Sequence, residues 1–215
     1  MLQQPFSRKT LLGGLASLLL SGMLITQATT ANALDTAYAK FNKAGELIRP
    51  AHYREWIFVG SPVTPKDMND GKPAFPEFHN VYIDPTSWRY WKRTGKFRDG
   101  TIFVLEMVSV GDKKSSSGNG YFQGEFGGLA AAVKSKRRFP NKTENWAYFG
   151  FDDKRTAAAQ PDDACAACHK ANAAEDMVFT QHYPVLRAAK PTTKPKGKGK
   201  SRGIGQGSMD IDRGE

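Results

Sequence analysis

The spacing of hydrophobic positions shifts along the chain, and each shift marks an element. Residues 34–49 place Ala37, Tyr38, Phe41 and Ala44 at helical spacing, with Asp35 as an N-cap and Pro50 as a stop, which predicts an N-terminal helix. Tyr53–Gly60 is β-rich and closes on Gly60-Ser61-Pro62, and residues 61–77 read as a loop of Pro, Asn, Asp and Gly. A second strand is expected over Phe78–Ile83. Asp84-Pro85 supplies an N-cap and a first helical residue, starting a short helix through Tyr90 and Trp91. Thr101–Val110 carries the strongest strand pattern in the chain. Phe103, Leu105 and Met107 fall on one face, and Ile102, Val104, Val108 and Val110 on the other. A strand apolar on both faces must have something packed against each. Residues 113–120 make a polar hairpin connection, Tyr121–Phe126 resumes a strand running into Ala130, Ala131 and Ala132, and Trp146–Phe151 gives another. Pro161-Asp162-Asp163 suits a helix start, with proline at its first position and two charges at the positive end of the dipole. Met177–Ala189 reads as helical, interrupted at Pro184. The order predicts an α+β fold: an antiparallel β-sheet core with an N-terminal helix and C-terminal helices. No internal repeat is visible.

Both cysteines of the chain, and one of its four histidines, lie in Cys165-Ala166-Ala167-Cys168-His169. C-x-x-C-H is the attachment signature of c-type haem. In a helical turn residues three apart share a face, so two thiols there can reach the two vinyl groups along one porphyrin edge. His169 then offers a neutral imidazole to the iron. Three rivals are weaker. A structural zinc site wants four N or S ligands, usually in two pairs, and no second cysteine pair exists. A thioredoxin-like pair needs its βαβ unit. A disulfide across two residues would close almost no loop. Covalent haem at Cys165 and Cys168, with His169 as metal ligand, is therefore expected, and the C-terminal helices become haem-bearing.

Composition places this chemistry. Arg8 and Lys9 precede an apolar run over Leu11–Ile25, and Ala31-Asn32-Ala33 gives an A-x-A cleavage site. This is a secretory signal peptide over 1–33, too short for a membrane span of about 20 residues. The expected compartment is an oxidising one, the periplasm. The net charge of +10 invites a nucleic-acid reading, but seven basic and three acidic side chains sit in residues 190–215, whose Lys, Pro and Gly content predicts a disordered basic tail over 191–215. Nucleic acid is not an expected partner; the tail could dock an acidic redox partner. One haem domain then spans 34–190.

A second axial ligand could come from Met68, Met107, Met177, His52, His79 or His182. Met177 lies only eight residues beyond His169, and a methionine on a strand is more often core filler. His79 alternates with Val81 and Ile83 and would share their face, as a polar group on the distal side. An iron with an open sixth position under an apolar, aromatic lid is expected, suited to ligand binding rather than simple electron transfer.

Several dispersed stretches, in order, resemble the cytochrome P-460 family: Tyr53-Arg54-Glu55-Trp56, Val81-Tyr82-Ile83-Asp84-Pro85, Val108-Ser109-Val110-Gly111, Gly118-Asn119-Gly120-Tyr121-Phe122, Asn145-Trp146-Ala147-Tyr148-Phe149 and Val178-Phe179-Thr180-Gln181. The resemblance covers about residues 38–190. It implies a periplasmic, homodimeric, β-rich monohaem protein with a proximal histidine and an open distal face. Enzymes of the family oxidise hydroxylamine to nitric oxide and nitrous oxide, and carry a lysine cross-linked to the haem. Leu105 stands at the lysine position here. The distal arginine and glutamate correspond to His79 and Ala130. These departures resemble the beta-type cytochromes c-prime, which lack the link and bind nitric oxide and carbon monoxide in a hydrophobic pocket. Phe103 and Leu105, with Phe78 or Phe122 as aromatic neighbours, would crowd the iron. If the register were shifted, Lys96 would be the nearest alternative amine. Three functions are thus in view: a gas-binding haem protein, a hydroxylamine oxidoreductase with His79 as acid or base, and a six-coordinate electron-transfer cytochrome.

Overall fold

The structure is a computed structural model that describes residues 38–192. The expected signal peptide, and the basic tail beyond Thr192, lie outside the described residues. Along the chain come β1 (Leu47–Ile48), β2 (Ile57–Gly60), β3 (Phe78–Ile83), α1 (Pro85–Thr94), β4 (Ile102–Val110), β5 (Lys114–Ser115), β6 (Gly118–Asn119), β7 (Gln123–Lys134), β8 (Trp146–Gly150), β9 (Thr156–Ala157), α2 (Ala167–Asn172) and α3 (Pro184–Ala189). The fold is α+β. A five-stranded antiparallel sheet in the order β2-β3-β4-β7-β8 forms its centre, and β1 pairs with β9 outside it.

The two-faced pattern of β4 explains the layers. Ile102 and Val104 pack with Leu129, Ala131, Val133, Ala147 and Phe149, under a cover from Leu47, Phe41, Trp56 and Phe139. Phe103 points the other way, into a cluster with Val81, Ile83, Trp146, Tyr148, Trp91, Phe97 and Leu186. Each large apolar side chain removed from water in this way contributes about 1.5–3 kcal/mol. Trp91 joins the helices of that second layer: its ring stacks on Phe97 at 4.5 Å, and its Nε1–H donates to the Leu186 carbonyl at 2.8 Å.

Helix α1 begins as expected. Buried Asp84 accepts the Ser87 backbone N–H at 2.8 Å and, through its other oxygen, the Ile102 N–H at 3.0 Å. One carboxylate therefore caps the helix and ties it to β4. Gly95, at φ 65°, ends the helix in the left-handed conformation that glycine adopts at little cost.

The helix expected over 34–49 is not formed by its described part. Asn42 accepts the Glu46 N–H at 2.9 Å and Gly45 turns the chain at φ 82°, so Phe41 bridges back to Leu47 and the segment lies as an irregular ribbon. Its apolar residues matched helical spacing because Tyr38, Phe41 and Leu47 all face the same sheet surface. The helix expected over 177–189 is also shorter. Only α3 and a 3₁₀ turn at Thr180–His182 are helical, because Asp176 and Met177 are left-handed at φ 45° and 64°.

An acid is buried on one surface of the sheet. Glu106, 3% exposed, accepts hydrogen bonds from Tyr53 Oη at 2.7 Å, Arg54 Nε at 2.8 Å and Asn80 Nδ2 at 3.3 Å. Desolvation pushes its carboxyl up, but these donors outweigh that and hold it below the ordinary value. Tyr53 and Arg54 are thus the partners of a buried acid on the sheet surface opposite Phe103.

Candidate functional site

The C-x-x-C-H segment lies against the edge strand β8. Pro161 is extended, at φ −57° and ψ 155°, and stands one position before the helical residues rather than at the first of them. Asp162–Ala166 form a wide π-type turn in which the Ala167 N–H reaches the Asp162 carbonyl, and α2 continues from it. Such turns recur at functional sites because they place one extra residue on a face. Asp162 is held by Lys142 Nζ at 2.6 Å. Cys165 and Cys168 are exposed free thiols. Partial desolvation by its surroundings, and to a lesser degree Cys168, pushes the Cys165 thiol up, so it stays protonated at neutral pH.

His169 is oriented on three sides. Its ring lies between Tyr148, with centroids 4.4 Å apart, and Phe179, at 4.6 Å. Its Nδ1 donates to the Met177 carbonyl at 2.7 Å, which leaves the lone pair on Nε2. No group among the described residues hydrogen-bonds Nε2. Burial lowers the pKa, more than the Met177 bond raises it, so the imidazole is neutral. The stretch Val178–Gln181 completes this frame: Gln181 Nε2 donates to the Asn172 carbonyl at 2.8 Å and Gln181 Oε1 accepts the Ala174 N–H at 3.1 Å.

The sheet surface on this side is ordered in rows. Ile83, Phe103, Ala132 and Tyr148 stand in register across β3, β4, β7 and β8. The next row is Val81, Leu105, Ala130 and Gly150, and the one after is His79, Met107 and Gly128. Leu105, Ala130 and His79, distant in sequence, are therefore brought onto the surface that carries Tyr148 and His169. Ala130, Gly128 and Gly150 leave it shallow. A Cβ added at Gly150 would meet nothing closer than Gln160 Nε2 at 3.8 Å.

Phe103 is 6% exposed and packs against Phe97 and Trp146, so it floors this surface rather than lidding it. Phe78 alternates with His79 and faces away, and Phe122 lies between β6 and β7, so neither belongs to the Leu105 row. Lys96 is exposed beyond the end of α1, in a cleft with Trp91 and Phe97. Among the other candidate ligands, Met68 is 72% exposed in its loop, His52 pairs with Glu55 at 3.3 Å on the surface, and His182 is exposed beside Phe179. Met177 is buried and serves through its carbonyl. Only His79 and Met107 of the six share the Leu105 surface.

His79 is distinctive. Its Nε2 is buried and makes no hydrogen bond among the described residues, and neither does one buried oxygen of Glu77, in the bend just before β3. Desolvation lowers the His79 pKa, and the Glu77 charge raises it less. Phe75 covers the ring edge-on at 5.7 Å. Glu77 was not singled out in the sequence, because it lies in the loop before β3, where no strand alternation marks it.

A family model described as Cytochrome P460 matches residues 50–180. The chain belongs to the cytochrome P460 family. Comparison with curated proteins finds none that matches. As a cytochrome P460 protein the chain is a haem binder, and its residues fit that group. A neutral imidazole whose outer nitrogen has no partner among the described residues, two thiols three residues apart beside it, and a shallow apolar sheet surface suit a flat porphyrin. Among the described residues no three His, Cys, Asp or Glu side chains converge as a separate metal site. The haem iron, when bound, supplies a coordination position and one-electron chemistry; the chain supplies orientation, exclusion of water and proton-handling groups.

Proposed function

We propose that this cytochrome P460 protein carries one haem c, tethered at Cys165 and Cys168 with His169 as axial ligand, and that it binds nitric oxide and carbon monoxide at the open opposite position. The observation that carries this reading is the row Val81–Leu105–Ala130–Gly150, which offers neither an amine to link a porphyrin nor a carboxylate to serve as base. An apolar surface gives bound dioxygen no hydrogen bond, whereas nitric oxide needs less support. The apolar run and A-x-A site at the N-terminus support export to the periplasm, and the resemblance supports a homodimer. The deciding experiment is titration of the ferrous holoprotein with nitric oxide and carbon monoxide: saturable spectral change is expected, and an unchanged spectrum refutes the reading.

His79 favours a second reading, hydroxylamine oxidation. A half-buried imidazole kept neutral by desolvation, whose Nε2 has no hydrogen-bond partner among the described residues, is a group able to accept a proton from an N–O substrate. Steady-state assay with hydroxylamine and an electron acceptor separates the two. Turnover lost in His79→Leu establishes oxidation; absence of turnover in the unaltered protein removes it.

A further inference from the structure

The loop that supports His169 is strained and anchored. Asp176 and Met177, at φ 45° and 64°, are consecutive left-handed residues, neither of them glycine or asparagine. Aspartate tolerates this conformation better than most residues, but a side chain such as Met177 rarely adopts it unless its surroundings hold it there. The hold comes from two neighbouring strands. Lys134 on β7 and Trp146 on β8 are in register, and both reach the same Asp176 oxygen, Lys134 Nζ at 2.6 Å and Trp146 Nε1 at 3.1 Å. Lys134 also donates to the Glu144 carbonyl at 2.9 Å and lies over the Trp146 ring. Its side chain is only 11% exposed. The Asp176 side chain is 28% exposed, and an ion pair so placed, part-buried and open to water on one side, contributes little net stability. Its place here, on a turn of unfavourable conformation, points to a geometric role. Met177 supplies it: the carbonyl that this turn presents is the acceptor of His169 Nδ1, 2.7 Å away.

We infer that the Lys134–Asp176 ion pair is a positioning device for the axial imidazole, fixing the turn that keeps the Met177 carbonyl on His169. The carbonyl sets the tautomer and raises the donor strength of the ring toward the iron, which favours the ferric state. A cleft of about 520 Å³, lined by Lys134, Thr143, Glu144, His169, Asp176 and Met177, opens beside this pair, so the turn has room to relax once released. The inference rests on His169 as axial ligand and is independent of whether the distal partner is nitric oxide or hydroxylamine.

The test uses the full-length holoprotein and two readouts, the iron–histidine stretching band of the ferrous state by resonance Raman and the midpoint potential. Lys134→Met and Asp176→Asn each break the pair while keeping side-chain size. Both are expected to lower the stretching frequency and raise the potential. Lys134→Arg keeps both near their original values, and Trp146→Phe, which removes a single donor, gives a smaller shift in the same direction and serves if the stronger variants fail to fold. A bare charge effect would instead move the potential in opposite directions for Lys134→Met and Asp176→Asn, and that result overturns the inference. So does an unaltered band in all variants. If the band of the unaltered protein survives in His169→Ala, His169 is not the ligand, and the underlying site assignment fails rather than the role of the pair alone.

Discussion

Leu105 on β4 stands directly opposite Ala130 on β7, on the sheet surface where Tyr148 packs against His169. A branched apolar side chain faces a methyl group, so access to this surface is set by Leu105 alone of the two. Leu105→Ala is expected to speed carbon monoxide association with the ferrous protein by about tenfold, equivalent to roughly 1.4 kcal/mol of barrier. The same variant should lose about 2 kcal/mol of stability, near the lower end for such truncations because Leu105 is only half-buried. Ala130→Phe should slow association by a similar factor. Flash photolysis measures both rates; equal rates in all three proteins would show that this surface does not face the ligand.

Asp84 serves two backbone donors from a fully buried position. Asp84→Ala removes the cap and leaves the Ile102 N–H without its partner. A loss of about 2–3 kcal/mol follows, the sum of a helix cap and one buried unsatisfied amide. Urea unfolding should show a lower midpoint with an unchanged slope. A loss confined to a few tenths would mean that water replaces the carboxylate.

The buried Glu106 predicts a pH dependence. Its folded pKa lies below the ordinary 4.5, because hydrogen bonds from Tyr53, Arg54 and Asn80 outweigh desolvation. The unfolded chain therefore binds the proton more readily, so stability is fully present above pH 4.5 and declines as pH falls through the folded value. Glu106→Gln should flatten this acid limb. Denaturant midpoints measured from pH 7 down to pH 3 check it, and a limb of unchanged steepness in the variant would assign the acid sensitivity elsewhere.

The two thiols are expected to contribute separately to the tether. Cys165→Ser and Cys168→Ser should each retain haem through one thioether, and the double variant should release it into acidified organic solvent. Haem that stays with the double variant would place the attachment outside this segment.

Much of the fold was legible because it follows from local rules. The two-faced apolar pattern of β4 required two layers, and Asp84-Pro85 marked the start of α1. The C-x-x-C-H spacing brought Cys165, Cys168 and His169 together for the same reason. The N-terminal helix failed because Tyr38, Phe41 and Leu47 meet one sheet surface from an irregular ribbon, which helical spacing imitates over so few residues. The anchoring of His169 could not be read at all. It depends on a backbone carbonyl, presented by a left-handed Asp-Met pair whose methionine carries no turn signature and which is held by Lys134 and Trp146 from distant strands. Glu106 was hidden likewise, since its partners come from three separate segments.

The central claim is a haem joined covalently to Cys165 and Cys168. Its most direct test is the mass of the denatured protein, produced in a host that matures c-type cytochromes. The account predicts the processed chain plus one haem, with the added mass on the peptide that contains Cys165-Ala166-Ala167-Cys168-His169. A mass matching the unmodified polypeptide would contradict it.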